Sequence, residues 1–483
     1  MRHAGYARPG FIAGLCLALA MTSALAADPT ADQLLDTALK ALGGQQEGIV
    51  ITAHGYDACL GQPWSVKQGW SRWELTDYHR TFDYRNGATK HNAQRRAGMD
   101  GEHIGGCGAQ PNATAAPQQS LTDANAPWSD QLVLWLTPQG FLQLMAAGKP
   151  ELARDSKGWQ ITVPMPRDGI NYKLIGHLNA NNEIDWVHTW LDDPVFGDML
   201  VEAEFGHYKQ YDGVKFPQSY TIKQGGSATL ALTIDGASAS SEAVVTTAPR
   251  RTFAALGDSG IAFTEVGKGV FVLGGSYQSV AVEFDQFSVV IDGLQNDSRA
   301  KQLIMFTKQA IPNKPIRYVV TTHAHFDHAS GLRQFAAEGA TIIAHKSDID
   351  FYKQALAAPR TLRTKATEPN SVSAKLQAVD DHYVIEDKAG QKVELYALQP
   401  NLHAADMLIA YIPSTHTVVE ADLLQPWISP QFGGKNGPHP LLVYLDQELT
   451  RLKLDYQNFV SVHAPPNPPL MQKADLQAAL GKH

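Results

Sequence analysis

The run Thr322-His323-Ala324-His325-Phe326-Asp327-His328 constrains this chain more than any other stretch. It follows residues 316–322, a β-branched and aromatic run that reads as a buried strand. Residues 329–338 carry apolar side chains at Leu332, Phe335 and Ala336, with Gly339 placed to stop a helix. Four candidate ligands are thus crowded into the turn from a strand's carboxyl end into a helix. His323 and His325 are two apart, so in extended backbone their imidazoles project to the same side. Asp327 and His328, where the chain turns, face a second point nearby. Neutral imidazoles plus a carboxylate are donors that zinc takes. One such histidine would pass for a surface or capping residue. All of them together would gather potential cations side by side for no purpose, so the run reads as a metal site.

A chain of 483 residues has room for two to three domains. At its start, Arg2 and Arg8 precede an apolar run over 11–20 and then Ala24-Leu25-Ala26, the pattern of a secretory signal peptide cut after Ala26. The apolar run is short for a membrane span, so the mature chain is expected to have no transmembrane segment. Leu15 before Cys16 is not the small residue that lipid attachment needs. Without Arg2 and Arg8, the 40 basic residues fall to 38 against 48 acidic ones, a net charge of −10. An acidic chain without basic runs is a poor partner for nucleic acid, since phosphate contacts supply most of that affinity. Location is therefore expected to be periplasmic or secreted. The two cysteines left after cleavage, Cys59 and Cys107, then read as one disulfide.

Residues 31–43 have helical spacing and a terminal glycine. From about Ile49 to Ser240 the pattern becomes short alternating runs broken by Gly, Asn, Asp and Pro, which predicts antiparallel strands with one buried face. The segment 213–217 after Tyr208 and Tyr211, followed by 219–222, resembles the late hairpin of periplasmic lipoprotein-carrier-like domains, which are curved sheets with a concave apolar face. That resemblance implies an apolar or lipid ligand there. Trp64, Trp70, Trp73, Trp159, Trp186 and Trp190 crowd this half and read as sheet core with partnered indoles. A small-residue stretch with Pro249 and Arg250-Arg251 is the candidate linker, dividing the mature chain into 27–250 and 251–483.

The second part alternates strands and helices. Strands are expected at 270–273, 279–284, 287–291 and 339–344, with helices over 297–309 (Asp297 as N-cap), 346–357 and 445–454. Three later apolar runs each end near a polar residue: 395–398 before His403, 417–421 before Asp422, and 459–462 before His463.

His-x-His-x-Asp-His after a hydrophobic strand, with these later residues in order, resembles the metallo-β-lactamase-fold hydrolases over roughly Phe263 to His463. The resemblance implies an αββα sandwich after the N-terminal sheet, an α+β and α/β chain overall. It implies two zinc ions, with iron or manganese as alternatives. His323, His325 and His403 would hold the first; Asp327, His328 and His463 the second; Asp422 would bridge. Asp292 looks like the carboxylate that orients a histidine ligand. Ala421 and Ala464 stand where the family often has glycine. The implied chemistry is cleavage of an acyl bond in a small molecule by a metal-bridging hydroxide, with Asp327 as the catalytic carboxylate. Asp422 resembles the bridging carboxylate of thioesterase and lactonase members, which the zinc β-lactamases generally lack. Alternatives are a β-lactam hydrolase, a single-iron sulfur dioxygenase of the same fold, and a lipid-binding protein with an inert second domain. His439 is a candidate substrate contact; Arg360 and Arg363 read as anion-binding or solvated; His345, His382 and His416 are assigned to the surface.

Overall fold

A computed structural model describes residues 28–97, 116–167, 169–244, 262–275, 277–362, 372–424, 438–464 and 468–482. The expected leader, Cys107 and Arg363 lie outside them, so the proposed disulfide has only its Cys59 end among the described residues. Among the described residues, no helix is long and apolar enough to cross a membrane.

Helix Ala31–Ala41 starts at Thr30, whose hydroxyl accepts from the Gln33 N–H while the Gln33 side chain accepts from the Thr30 N–H. It buries Leu34 and Ala38 against an antiparallel sheet of eleven strands running from Gly48 to Ala239. The first four strands lie in reverse chain order, and the first (Gly48–Ala58) pairs with the last (Ser227–Ala239). From there the sheet steps back strand by strand to the fifth. Strand Ile184–Asp193 shows the period that makes such a sheet: Val187, Thr189, Leu191 and Asp193 are buried and the residues between are not. Helices Trp128–Trp135 and Pro138–Ala147 join Ala31–Ala41 in the same apolar core. Gly176 lets the second of these close in, since a Cβ there would lie 2.4 Å from the Phe141 ring.

Among the described residues, the C-terminal part has two sheets. One has seven strands, antiparallel from Phe263 to Ile291 and then parallel through Ile316–Val320, Thr341–His345 and Lys375–Val379. The other has six, built around Leu408–Ile412, Thr417–Glu420 and Asn458–Ser461. Their central strands are buried on both sides, which is why their sequences are continuous apolar runs. One core cluster joins the two sheets, with Val272, Val289 and Val320 from the first and Leu395, Leu408 and Val460 from the second. Helices Asp297–Ala310, Leu332–Ala337 and Ile349–Ala357 contribute to a second cluster, and Pro440–Leu452 and Lys473–Ala479 to a third.

Local departures from expectation have physical causes. The strand into the motif stops at Val320, because the Thr321 hydroxyl turns back to bond the His323 and His328 carbonyls. The following helix is split into Phe326–Ala329 and Leu332–Ala337, so Asp327 and His328 already lie in a helical turn. Asn296, not Asp297, caps the next helix, accepting from the Arg299 N–H at 2.8 Å. Asp297 is left free to meet Arg360, whose guanidinium reaches Asp297 at 2.7 Å and Asp192 at 2.6 Å. Arg360 is therefore a buried tie between the two parts of the molecule rather than an anion-binding or solvated residue. The tryptophans divide similarly. Trp186 stacks between His177 and His188 within the sheet, whereas Trp70 meets Phe326 edge-on and Trp64 bonds the Asn401 carbonyl. Trp64 and Trp70 are interface residues, not sheet core.

Candidate metal centre

Each implicated side chain leaves its element near a strand's carboxyl end. Asp292 follows Ser288–Ile291, His323 follows Ile316–Val320, Asp422 follows Thr417–Glu420, and His463 follows Asn458–Ser461. His403 lies in the turn between Lys392–Ala397 and Leu408–Ile412. The Leu408 N–H bonds the Thr322 carbonyl at 2.7 Å, drawing the His403 turn onto the motif. Asn401 shapes that turn by accepting from the His403 and Ala404 N–H groups at 2.7 and 3.1 Å. Asp292 and Asp422 take left-handed backbone angles, φ 52° and 65°. Such strain in non-glycine residues persists where surroundings impose it. At Asp422 the imposing group is Glu420, whose buried carboxyl accepts from the Leu423 and Leu424 N–H groups, both at 3.1 Å. Burial pushes the Glu420 carboxyl up to about 7. Ala421 needs no glycine, because the positive φ falls on Asp422.

All seven expected side chains meet. One donor from each of His323, His325 and His403 lies within 4.8 Å of the others, and the same holds for Asp327, His328 and His463. Asp422 spans the two groups, 2.9 Å from His328 Nε2, 3.0 Å from His463, 3.6 Å from His323 and 3.7 Å from His403. His323 Nε2 and His403 Nε2 are 3.2 Å apart, as are His328 Nε2 and His463 Nε2. A tetrahedral zinc with bonds of about 2.0–2.1 Å sets its ligand atoms roughly 3.3–3.4 Å apart. The spacing is that of donors around a shared cation.

The electrostatics point the same way. Burial lowers His323 far below the usual histidine range, with His325 and His328 adding to it. Burial also takes His325 down to about 3, helped by His403. These rings are neutral lone-pair donors. At His328 burial opposes charge, but Asp292, Asp327 and Asp422 outweigh it and favour a positive charge at that point, which a cation would supply by displacing the Nε2 proton. Burial alone would raise Asp327, and the adjacent His328 more than reverses that, so its carboxylate stays ionised. Asp292 accepts from His328 Nδ1 at 2.8 Å and from the Thr322 N–H at 3.2 Å, and also bonds the Thr322 hydroxyl. With Nδ1 of His328 so occupied, Nε2 is left facing the cluster.

Two residues of the site went unnoticed in the sequence. The Tyr277 hydroxyl donates to Asp327 Oδ2 at 3.0 Å, and its ring lies 4.5 Å from that of His463. The buried Arg299 holds the Tyr277 carbonyl at 2.6 Å. Gln62, from the N-terminal sheet's first long loop, donates to Asp327 Oδ1 at 2.8 Å. Neither sits in a motif, and only tertiary contact brings them here. His439 is buried and caps helix Pro440–Leu452, its Nδ1 accepting from the Leu441 N–H at 3.3 Å. Of the histidines assigned to the surface, His382 and His416 are exposed, while His345 is half-buried and bonds Ser347.

A buried two-lobed cluster of imidazoles and carboxylates at strand ends defines a metal-dependent hydrolase class of site. Residues 273–465 match the family model described as the metallo-beta-lactamase superfamily, so the similarity covers the C-terminal part of the chain. Solved structures similar to the chain include a metallo-β-lactamase from Hirschia baltica, 16% identical over 46% of this chain and 96% of that one, TM-score 0.34. They also include the metallo-β-lactamase FIM-1 from Pseudomonas aeruginosa in its mono-zinc form, 18% identical over 47% and 95%, TM-score 0.31. A third is the stereoselective inverting sec-alkylsulfatase Pisa1 from Pseudomonas sp., 16% identical over 46% and 40%, TM-score 0.33. No curated protein sequence matches the chain.

Proposed function

We propose that the chain is an exported zinc-dependent hydrolase that cleaves an ester, lactone or thioester in a small molecule. The observation that carries the reading is Asp422, standing within 3.7 Å of histidines from both donor groups. His323, His325 and His403 would hold one ion, Asp327, His328 and His463 the other, and Asp422 both. Bound divalent cations supply Lewis acidity and a water of lowered pKa; zinc suits this donor set, with iron or manganese as alternatives. The chain's own contribution is to place and hold a base. Tyr277 and Gln62 donate to the two oxygens of Asp327, which fixes the carboxylate to orient a water and accept its proton. Arg299 keeps the Tyr277 loop in position.

The two C-terminal sheets form the inner layers of an αββα sandwich in 251–483, and 27–250 is a separate sheet domain. The segment 1–26 directs export and is removed, and Cys59 pairs with Cys107. A cavity of about 250 Å³ in the N-terminal part, lined by Leu60, Leu132 and Val133 but also by Asp57, Gln224 and Thr229, would suit a separate ligand with both apolar and polar groups.

The test is Asp327→Asn in zinc-loaded protein, assayed against esters, lactones, thioesters and β-lactams. A fall of roughly 10²–10⁴ in kcat on the substrate that wild type cleaves is expected; undiminished turnover removes the proposed base. Cleavage of β-lactams alone would move the reading to an antibiotic hydrolase. Bound iron with oxygen uptake would move it to a sulfur dioxygenase.

A further inference from the structure

The loop between strands Gly48–Ala58 and Arg72–Asp83 belongs to the N-terminal sheet, yet most of the hydrogen bonds of its residues 61–65 go to the C-terminal part. The Gly61 carbonyl accepts from the Phe326 N–H at 2.9 Å. Gln62 donates to Asp327, and the Pro63 carbonyl meets His325 Nε2 at 3.0 Å. Three successive loop residues therefore bond three successive motif residues. Farther along, the Trp64 indole N–H donates to the Asn401 carbonyl at 2.7 Å, and the Trp64 carbonyl accepts from the Ala405 N–H at 2.8 Å. These two bonds bracket His403. Ser65 then donates to Asp406 at 3.0 Å. The approach requires a glycine: Gly61 has φ +80°, and a Cβ there would lie 2.4 Å from the Phe326 ring.

We propose that Gly61–Ser65 is a strap by which the N-terminal sheet positions the donors of the metal centre. A carbonyl only accepts, so the bond to Pro63 puts the proton of His325 on Nε2 and leaves Nδ1 as the lone-pair atom. Partners of this kind fix a ligand's tautomer and ring orientation, and their loss typically weakens metal binding 10- to 100-fold. The strap steadies His325 and Asp327 directly and His403 through Asn401, so it acts on both donor groups. Gln62, Pro63 and Trp64 are positioning residues: the first two touch the ligands Asp327 and His325, Trp64 holds the residues on either side of His403, and none touches the reacting atoms. The N-terminal sheet is thus part of the metal centre and not a passenger beside it.

This proposal rests on the metal-site reading, and the experiment separates the two. Full-length wild type, Gln62→Ala, Trp64→Phe and Gly61→Ala are stripped of metal, then titrated with cobalt(II) and zinc(II) against a competing chelator, with visible spectra and thermal melts recorded. Wild type should bind two equivalents; if it binds none, the metal-site reading fails and the strap fails with it. Trp64→Phe and Gly61→Ala should weaken binding 10- to 100-fold and alter the cobalt(II) spectrum. Gln62→Ala should weaken only the equivalent that involves Asp327. A purely structural role would lower the melting temperature and leave the cobalt(II) spectrum of folded protein unchanged. Wild-type affinities and spectra in folded Gln62→Ala and Trp64→Phe overturn the strap while leaving the metal centre standing. If Gly61→Ala does not fold, the other two variants decide the outcome.

Discussion

The two parts of this molecule use their strand ends differently. In the eleven-stranded sheet, polar groups at strand ends serve the chain's own turns or, at Asp192 and Asp198, tie one strand corner to Arg360 and Thr361 of the other part. Asp155 accepts from the Lys157 and Gly158 N–H groups, and Asp193 from those of Val195 and Phe196. In the C-terminal sheets, the groups at Ile291, Val320, Glu420 and Ser461 are followed by residues that converge on one point. A meander with one buried face can stand on alternation alone. Strands covered on both faces have no polar side to offer along their length, so their chemistry gathers where they stop. The lesson is that site and scaffold can be told apart by whether strand-end residues find separate partners, in their own turn or across the seam, or converge on one point.

The strongest way to break this contrast is Asp422→Ala. If the strand ends of the C-terminal part exist to share a cation pair, losing the shared donor should remove at least one ion per chain. It should also lower kcat/KM by roughly three orders of magnitude, within the range of lost metal and charge stabilisation; metal analysis and steady-state kinetics check both. Arg360→Ala probes the seam between the parts. It would leave the buried Asp192 side chain and the partly buried Asp297 without their common partner. A cost of about 3–5 kcal/mol is expected, read by denaturant unfolding, with the two parts melting separately rather than together. Tyr277→Phe should keep both ions and lower kcat by roughly tenfold or more, since it removes one hydrogen bond to the base; unchanged kcat would take Tyr277 out of the site.

The smallest effect belongs to the N-terminal sheet alone. His91 is buried and stacks on Tyr78; burial, reinforced by Arg80, lowers it to about 4. Between about pH 6.5 and pH 4 the unfolded chain therefore binds a proton there that the folded chain refuses. Stability should fall as pH drops through that window and stop responding to this group below it. His91→Gln should flatten the slope, measured as thermal midpoint against pH. An unchanged slope would show that another group governs acid sensitivity.

Much of the metal centre was legible because its first four donors lie within six residues at a spacing that only makes sense for ligands. The later donors could be placed because each follows an apolar run. What escaped was of two kinds. Tyr277 and Gln62 act through contacts across 50 and 265 positions, and nothing local marks a tyrosine or glutamine for such a task. Asn296 and Asp297 compete for one capping position, and both types cap well. Tertiary pairing of Asp297 with Arg360 decided between them. Trp64 and Trp70 were misplaced for the same reason, since composition marks an indole as buried without saying against what.

The sheet's last strand lies beside its first, so the eleven strands are complete by Ala239, before any donor of the centre has been synthesised. For a chain that folds as it is made, N-terminal units first, residues 61–65 would stand ready as a template onto which the motif settles some 260 positions later. Ion capture would then be the closing event of assembly, and occupancy a report that both halves have found each other.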